Sequence, residues 1–177
     1  MSELILYSAI LFPLCAGLLG FLFPQNWSRT GYFLGSVLIE LALVCGVFRV
    51  FNQLSLDPIH LAHFSSQLFA ADGLSLLMAA TAAAVYLIIG LLELNSTTSR
   101  SPWYYFWLLM IQSALMGLFF SFNTIAFYVG WELCVIPGIF LFYGWGNGNI
   151  RQVGMRLLIV SFIGSMSFLA GLILLLS

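Results

Sequence analysis

Apolar positions along the chain fall into six long runs, at about 3–24, 31–51, 74–94, 103–122, 124–145 and 153–176. Each approaches the roughly 20 residues that a helix needs to cross the hydrocarbon core of a bilayer. Short polar separators punctuate them. Pro24-Gln25-Asn26-Trp27-Ser28-Arg29 closes the first run, Asn95 to Pro102 divides the third from the fourth, and Asn147-Gly148-Asn149 leads towards Arg151 before the sixth. The join near Ser121 to Thr124 is so short that the fourth and fifth helices are expected to form an antiparallel hairpin. The first run is too long for a signal peptide and lacks a positive front end and a small-residue cleavage site, so it is expected to be retained. The pattern predicts an all-α polytopic membrane protein of about six transmembrane helices, a single transmembrane domain over residues 1–177.

Composition agrees with the pattern. Of 177 residues, 62% are apolar and 6% charged, against roughly a quarter charged in soluble domains. Such a chain cannot cover itself with polar surface, which excludes a soluble globular enzyme, and its hydrophobicity excludes disorder. A net charge of −1 without a basic run leaves nucleic acid no electrostatic footprint. There is no lysine, and all five basic residues are arginines. Arg29, Arg100, Arg151 and Arg156 fall in or beside the first, third and fifth connections, and only Arg49 lies towards the other side. Positive charge is retained on the cytoplasmic side, so both termini are expected on the outer side.

The one long connection, 52–73, then belongs on the outer side. Leu54, Leu56, Ile59 and Leu61 partly alternate with polar residues, and Pro58 interrupts any helix, so a short strand or hairpin over the helix ends is expected. His60 and His63 lie three apart but have no third ligand nearby, and read as solvated loop residues. Cys15, Cys45 and Cys134 all lie inside apolar runs without paired spacing and read as small apolar fillers. Neither a disulfide framework nor a metal site is indicated.

The informative residues are the polar ones within the runs. An acid at mid-membrane costs about 2.5–3.5 kcal/mol on insertion scales, so it faces the bundle interior. Glu132 in the fifth run and Glu40 in the second are deep, while Glu93 can reach the headgroup region from a helix end. A deep carboxyl can carry protons, or it can serve as neutral hydrogen-bonding glue between helices. Both readings are open for Glu40. Glu132 is followed by Pro137, which is expected to kink or loosen the turn holding the carboxylate. Gln112 also lies at depth, either in a hydrated path towards Glu132 or in an interhelical hydrogen bond. Ser161, Gly164, Ser165, Ala170 and Gly171 on the sixth run suggest a close-packing face between helices. Trp103, Tyr104, Tyr105 and Trp107 form an aromatic belt at a span entrance.

Several motifs carry a resemblance. Leu118-Phe119-Phe120-Ser121-Phe122-Asn123, Phe127-Tyr128-Val129-Gly130-Trp131-Glu132, Ile136-Pro137 and Gly144-Trp145-Gly146 resemble the antiporter-like membrane subunits of respiratory complex I, with the subunit 4 type the nearest. Asp72-Gly73-Leu74-Ser75 is similar to the entry of that family's third helix, and Arg156 to Ser161 to the start of its sixth. The resemblance runs from about residue 72 to the end. It implies the leading helices and the start of the first of two inverted repeats, and it places Glu132 at the family's proton-transferring glutamate. In the family that residue pairs with a lysine on a broken seventh helix, whereas this chain has neither the lysine nor that helix. Arg156 would be a poor substitute, because a guanidinium stays protonated.

What the resemblance implies is therefore a part-length subunit in the membrane arm of a proton-translocating NADH or ferredoxin:quinone oxidoreductase. Its redox chemistry, with flavin, iron–sulfur clusters and quinone, would sit on partner subunits and no cofactor on this chain. Another chain would supply the missing lysine-bearing helices. The expected location is the inner (cytoplasmic) membrane of a bacterium or the mitochondrial inner membrane. Two alternatives stay open: a fragment of a multisubunit cation/proton antiporter of the Mrp type, and a purely structural membrane subunit.

Overall fold

A computed structural model of the chain describes residues 2–22, 27–54, 68–95, 100–146 and 150–176. These residues form six α-helices in chain order: α1 Ser2–Leu19, α2 Trp27–Leu54, α3 Gly73–Leu94, α4 Pro102–Phe119, α5 Thr124–Trp145 and α6 Ile150–Leu176. A single 3-10 turn, Gly20–Leu22, extends α1. The six helices coincide with the six apolar runs, and the differences lie at the ends. α2 begins at Trp27 and α6 at Ile150, each outside its apolar run. A hydropathy run measures the hydrocarbon depth, whereas a helix continues wherever its backbone hydrogen bonds do.

Four spans are long and apolar enough to cross a membrane: Arg29–Asn52, Gly73–Leu94, Thr124–Trp145 and Gln152–Gly171. Leu4–Leu19 is a shorter apolar helix. α4 is less uniformly apolar because it opens on aromatics and carries Gln112 and Ser113. It packs against α1, α3 and α5, so its polar groups meet protein and not lipid. The chain is an all-α polytopic membrane protein.

α1 and α3 each pack against both α2 and α4, which makes a four-helix bundle. Two apolar clusters are stacked along it. One contains Leu6, Ile10, Val44, Leu76, Met116 and Phe120, and the other Ala16, Phe33, Val37, Tyr86, Tyr105 and Leu109. α5 folds back on α4 as the expected hairpin, and α6 packs on α5. A Cβ at Gly130 would come within 3.1 Å of the Leu118 backbone Cα, so only glycine permits this approach of α5 to α4. Trp107 stacks on Phe140 at 4.4 Å further along the same hairpin, and Tyr128 stacks on Phe168 between α5 and α6.

Burial is uneven across the six helices. In an 18-residue apolar stretch of α2 and of α3, 33% and 39% of residues are buried, against 11% in such a stretch of each of α5 and α6. The small-residue stripe of α6 is accordingly not a packing face within this chain. Ser165 is buried and Ser161 half-buried, but Gly164, Ala170 and Gly171 are exposed. The buried glycine of α6 is Gly154, against the ring of Tyr143. Among the described residues α6 packs chiefly on α5, and one neighbour covers only one side of a helix.

The start of α3 explains the Asp-Gly-Leu-Ser motif locally. The Asp72 carboxylate accepts from the Ser75 backbone N–H at 2.6 Å, and the Asp72 N–H donates to Ser75 Oγ at 2.7 Å. This reciprocal capping satisfies two donors that a helix start leaves orphaned. Just before it, the Ala70 N–H donates to the Phe120 carbonyl and the Phe122 N–H to the Leu68 carbonyl. The end of the long connection is thereby paired, through one antiparallel bridge, onto the turn between α4 and α5. The rest of the expected strand or hairpin, with Pro58, His60 and His63, lies outside the described residues.

Candidate intramembrane polar sites

The helices place Glu132, Glu40 and Glu93 in three different settings. Glu132 sits on α5 between exposed Trp131 and Leu133 and is itself half-buried. Among the described residues it has no hydrogen bond or ion pair. Pro137, one turn further on, is almost wholly buried, and α5 runs unbroken through it from Thr124 to Trp145. Proline has no N–H to offer the carbonyl four residues back, so the Leu133 carbonyl beside Glu132 lacks its usual helical donor. The carboxylate and this carbonyl place two polar groups on one turn, on a helix that packs on α4 and α6 but has few buried residues.

Glu40 and Gln112 are in a different place. Both side chains are wholly enclosed, at 0% exposure. Among the described residues, neither Glu40 oxygen and neither polar atom of the Gln112 amide has a hydrogen-bond partner. Gln112 thus forms no hydrogen bond to Glu132, and it lies inside the α1–α4 bundle. Its neighbour Ser113 is satisfied, since Ser113 Oγ donates to the Ile10 carbonyl at 2.6 Å. That carbonyl lies in the turn of α1 loosened by Pro13, itself among the most deeply buried residues. Sequence reading missed this tie. The signal was a proline in one apolar run and a hydroxyl at depth in another.

Glu93 is more engaged than its position at a helix end suggested. Its side chain is only 10% exposed. Tyr104 donates to one carboxylate oxygen at 3.1 Å and Tyr105 to the other at 3.4 Å, while Arg100 Nε lies 3.9 Å away. The Arg100 guanidinium also sits over the Tyr104 ring, 5.1 Å from its centroid, a favourable cation–π placement. Tyr105 reaches Thr30 on α2 as well, at 3.3 Å. The expected aromatic belt is therefore also a hydrogen-bonding collar that gathers the starts of α2 and α4 and the end of α3.

Cys15 and Cys45 are exposed and Cys134 is half-buried, all with free thiols. Among the described residues no three His, Cys, Asp or Glu side chains come together in a way that could hold a metal ion. Arg156 is exposed on α6.

No family model matches the chain. Individual relatives do. It is 30% identical, over 92% of its length, to the NAD(P)H-quinone oxidoreductase chain 4 of the chloroplast of Angiopteris evecta, and covers 34% of that protein. It is 31% identical to the NADH-ubiquinone oxidoreductase chain 4 of Myxine glutinosa, over 73% of this chain and 29% of the relative. A Staphylococcus aureus protein named as antiporter subunit mnhA2 is 29% identical, over 59% of this chain and 14% of its own. The chain spans about a third or less of the length of these relatives.

Proposed function

We propose that this homologue of the antiporter-like chain 4 subunits of quinone oxidoreductases is a part-length subunit in the membrane arm of a proton-translocating NADH (or ferredoxin):quinone oxidoreductase, with Glu132 in its proton path. The relatives are subunits of multisubunit assemblies by name, which supports membrane-embedded partners. The observation that carries the role of Glu132 is its setting. It is a half-buried carboxylate without a partner among the described residues, beside a proline-relieved carbonyl, on a helix with an open flank. Backbone groups freed at membrane depth are tolerated where protein buries them or a hydrated cavity meets them. The low burial of α5 and α6 supports a further protein surface against this flank. Helices from another chain, bearing the lysine that this sequence lacks, would cover it and give the carboxylate its counter-charge.

The chain's own residues would then hold and pass a proton at the Glu132 carboxylate. Flavin, iron–sulfur clusters and quinone belong to the partner subunits in this reading. Arg29 and Arg100 border the collar at one end of the bundle, and Arg49 lies near the far end of α2. This supports the orientation that leaves both termini outside a bacterial cytoplasmic or mitochondrial inner membrane.

Replacing Glu132 by Gln in the assembled complex tests the reading. In sealed membrane vesicles the variant should lose most NADH-driven proton translocation while the complex still assembles. Unchanged translocation per electron would refute a proton path through Glu132 and leave a structural subunit. A second reading, an Mrp-type cation/proton antiporter subunit, is favoured by the Staphylococcus aureus match. Sodium- or potassium-dependent pH exchange without an electron donor would select it.

A further inference from the structure

α2 and α4 occupy diagonal corners of the four-helix bundle, and since successive spans alternate in direction they run parallel. Their relative height is fixed at one end, where the rings of Phe33 and Tyr105 meet at 5.3 Å. Val37 and Leu109 share the apolar cluster of that end, and Val44 and Met116 share the other. Each of these pairs is separated by the same 72 positions in sequence, and so are Glu40 and Gln112. On both helices the fully buried positions recur at alternate spacings of three and four, the seam of a parallel pair. Seven residues beyond the Phe33–Tyr105 contact, about 10 Å up each helix, the seam brings Glu40 level with Gln112. Among the described residues of the seam, theirs is the rung at which both side chains are polar, between two apolar clusters.

Four polar atoms at this level have no hydrogen-bond partner among the described residues: two carboxyl oxygens, an amide oxygen and an amide NH₂. The two side chains do not bond each other directly. Buried polar groups in native proteins are paired, with water where no protein group reaches, and a buried water requires two to four such partners. The rung offers that number.

Among the described residues no cation faces the rung, and α5, packed on α4, carries half-buried Glu132 and Cys134 but no basic residue. Among described side chains on α1, Tyr7 and Cys15 are exposed. On α3, the Tyr86 hydroxyl donates to the Leu108 carbonyl, and Glu93 is held in the collar with Tyr104 and Tyr105 of α4 and with Arg100. On α2 itself, the Tyr32 hydroxyl donates to the Ala16 carbonyl, Arg29 lies at the collar end, and Cys45 and Arg49 are exposed.

We propose that Glu40 and Gln112 form a water-bridged, single-proton binding site at the centre of the α1–α4 bundle, separate from Glu132. The carboxylic O–H and the Gln112 NH₂ both donate to the bridging water, which in turn donates to the Gln112 carbonyl and to the remaining Glu40 oxygen. On deprotonation the bridging water accepts the proton and passes it to base in the surrounding buffer, and the amide N–H groups turn to the carboxylate. Nothing in the argument depends on the role of Glu132.

Infrared difference spectra of the assembled protein in lipid, between acid and alkaline buffer and in H₂O and D₂O, test the site. Wild type should show a protonated-carboxyl C=O band that responds to pH and shifts on deuteration. Glu40→Gln should abolish that band and Glu132→Gln should leave it. Gln112→Leu, which keeps Glu40 in place, should move the band to higher frequency by removing its hydrogen-bond partner. A Glu40→Gln spectrum identical to wild type would overturn the proposal. So would a Glu40 band indifferent to pH and D₂O, or one unmoved in Gln112→Leu. The last comparison decides the matter even if Glu40→Gln fails to assemble. A failure of Glu132→Gln to affect translocation leaves this result untouched, so the two readings fail separately.

Discussion

Gly130→Ala compared with Gly138→Ala isolates what the close approach of α5 to α4 contributes. Both glycines lie inside α5, so each substitution gains helix propensity of up to about 1 kcal/mol. Their surroundings differ. At Gly138 an added methyl meets nothing within 4 Å, and the gain stands alone. At Gly130 the methyl would lie 3.1 Å from Leu118 Cα and 3.2 Å from its backbone nitrogen. Backbone cannot rotate away as a side chain can, so the hairpin must open by a few tenths of an ångström. Overpacking of this kind costs about 1–3 kcal/mol, and it also loosens the Trp107–Phe140 stack. The propensity gain is common to both variants, so Gly130→Ala should be less stable than Gly138→Ala by about 1–3 kcal/mol. At about 2–4 °C per kcal/mol for a chain of this size, the two midpoints should differ by roughly 2–12 °C. Thermal unfolding of the purified chain in mild detergent, followed by tryptophan fluorescence, measures this. Equal midpoints, or a Gly130→Ala variant the more stable, would refute the backbone-contact argument.

Two further predictions concern the bundle. Ser113→Ala removes the hydroxyl from the Ile10 carbonyl in the proline-loosened turn and should cost about 0.6–1.7 kcal/mol, the range of interhelical hydrogen bonds in membranes. Ser8→Ala, which removes only a bond within α1 to Ile5, should cost less in the same unfolding assay. Asp72→Ala deletes the cap of α3 and should cost about 0.5–2 kcal/mol. Asp72→Asn, which keeps an acceptor, should restore most of it, and amide hydrogen exchange at Ser75 and Leu76 would report the fraying directly.

Their surroundings sort the polar residues by what each is for. Asp72 and Ser75 are fully explained by capping, and Glu93 by its collar of tyrosines and arginine. Glu132, Glu40 and Gln112 are left with unmet hydrogen-bonding capacity in an environment where that is expensive. Those three are where function has to be sought.

The number and order of helices could be read from the sequence because they depend on a one-dimensional property. A run of apolar residues long enough to cross hydrocarbon must become a helix, since every backbone group has to bond within its own segment. The α4–α5 hairpin was equally legible, because three or four residues leave the chain nowhere else to go. Which side of each helix is enclosed was not legible, because lipid and protein interior are both apolar and leave the same mark on sequence. Gln112 is enclosed in the four-helix core and makes no bond to Glu132 among the described residues. The small residues of α6 promised a packing face that lies open in this chain. Glu93, assigned to the headgroups, turned inward because Tyr104 and Tyr105 came within reach from the next helix. Depth in the membrane is set by position along one helix, while partners are set by the register between helices, and only the tertiary structure fixes that register.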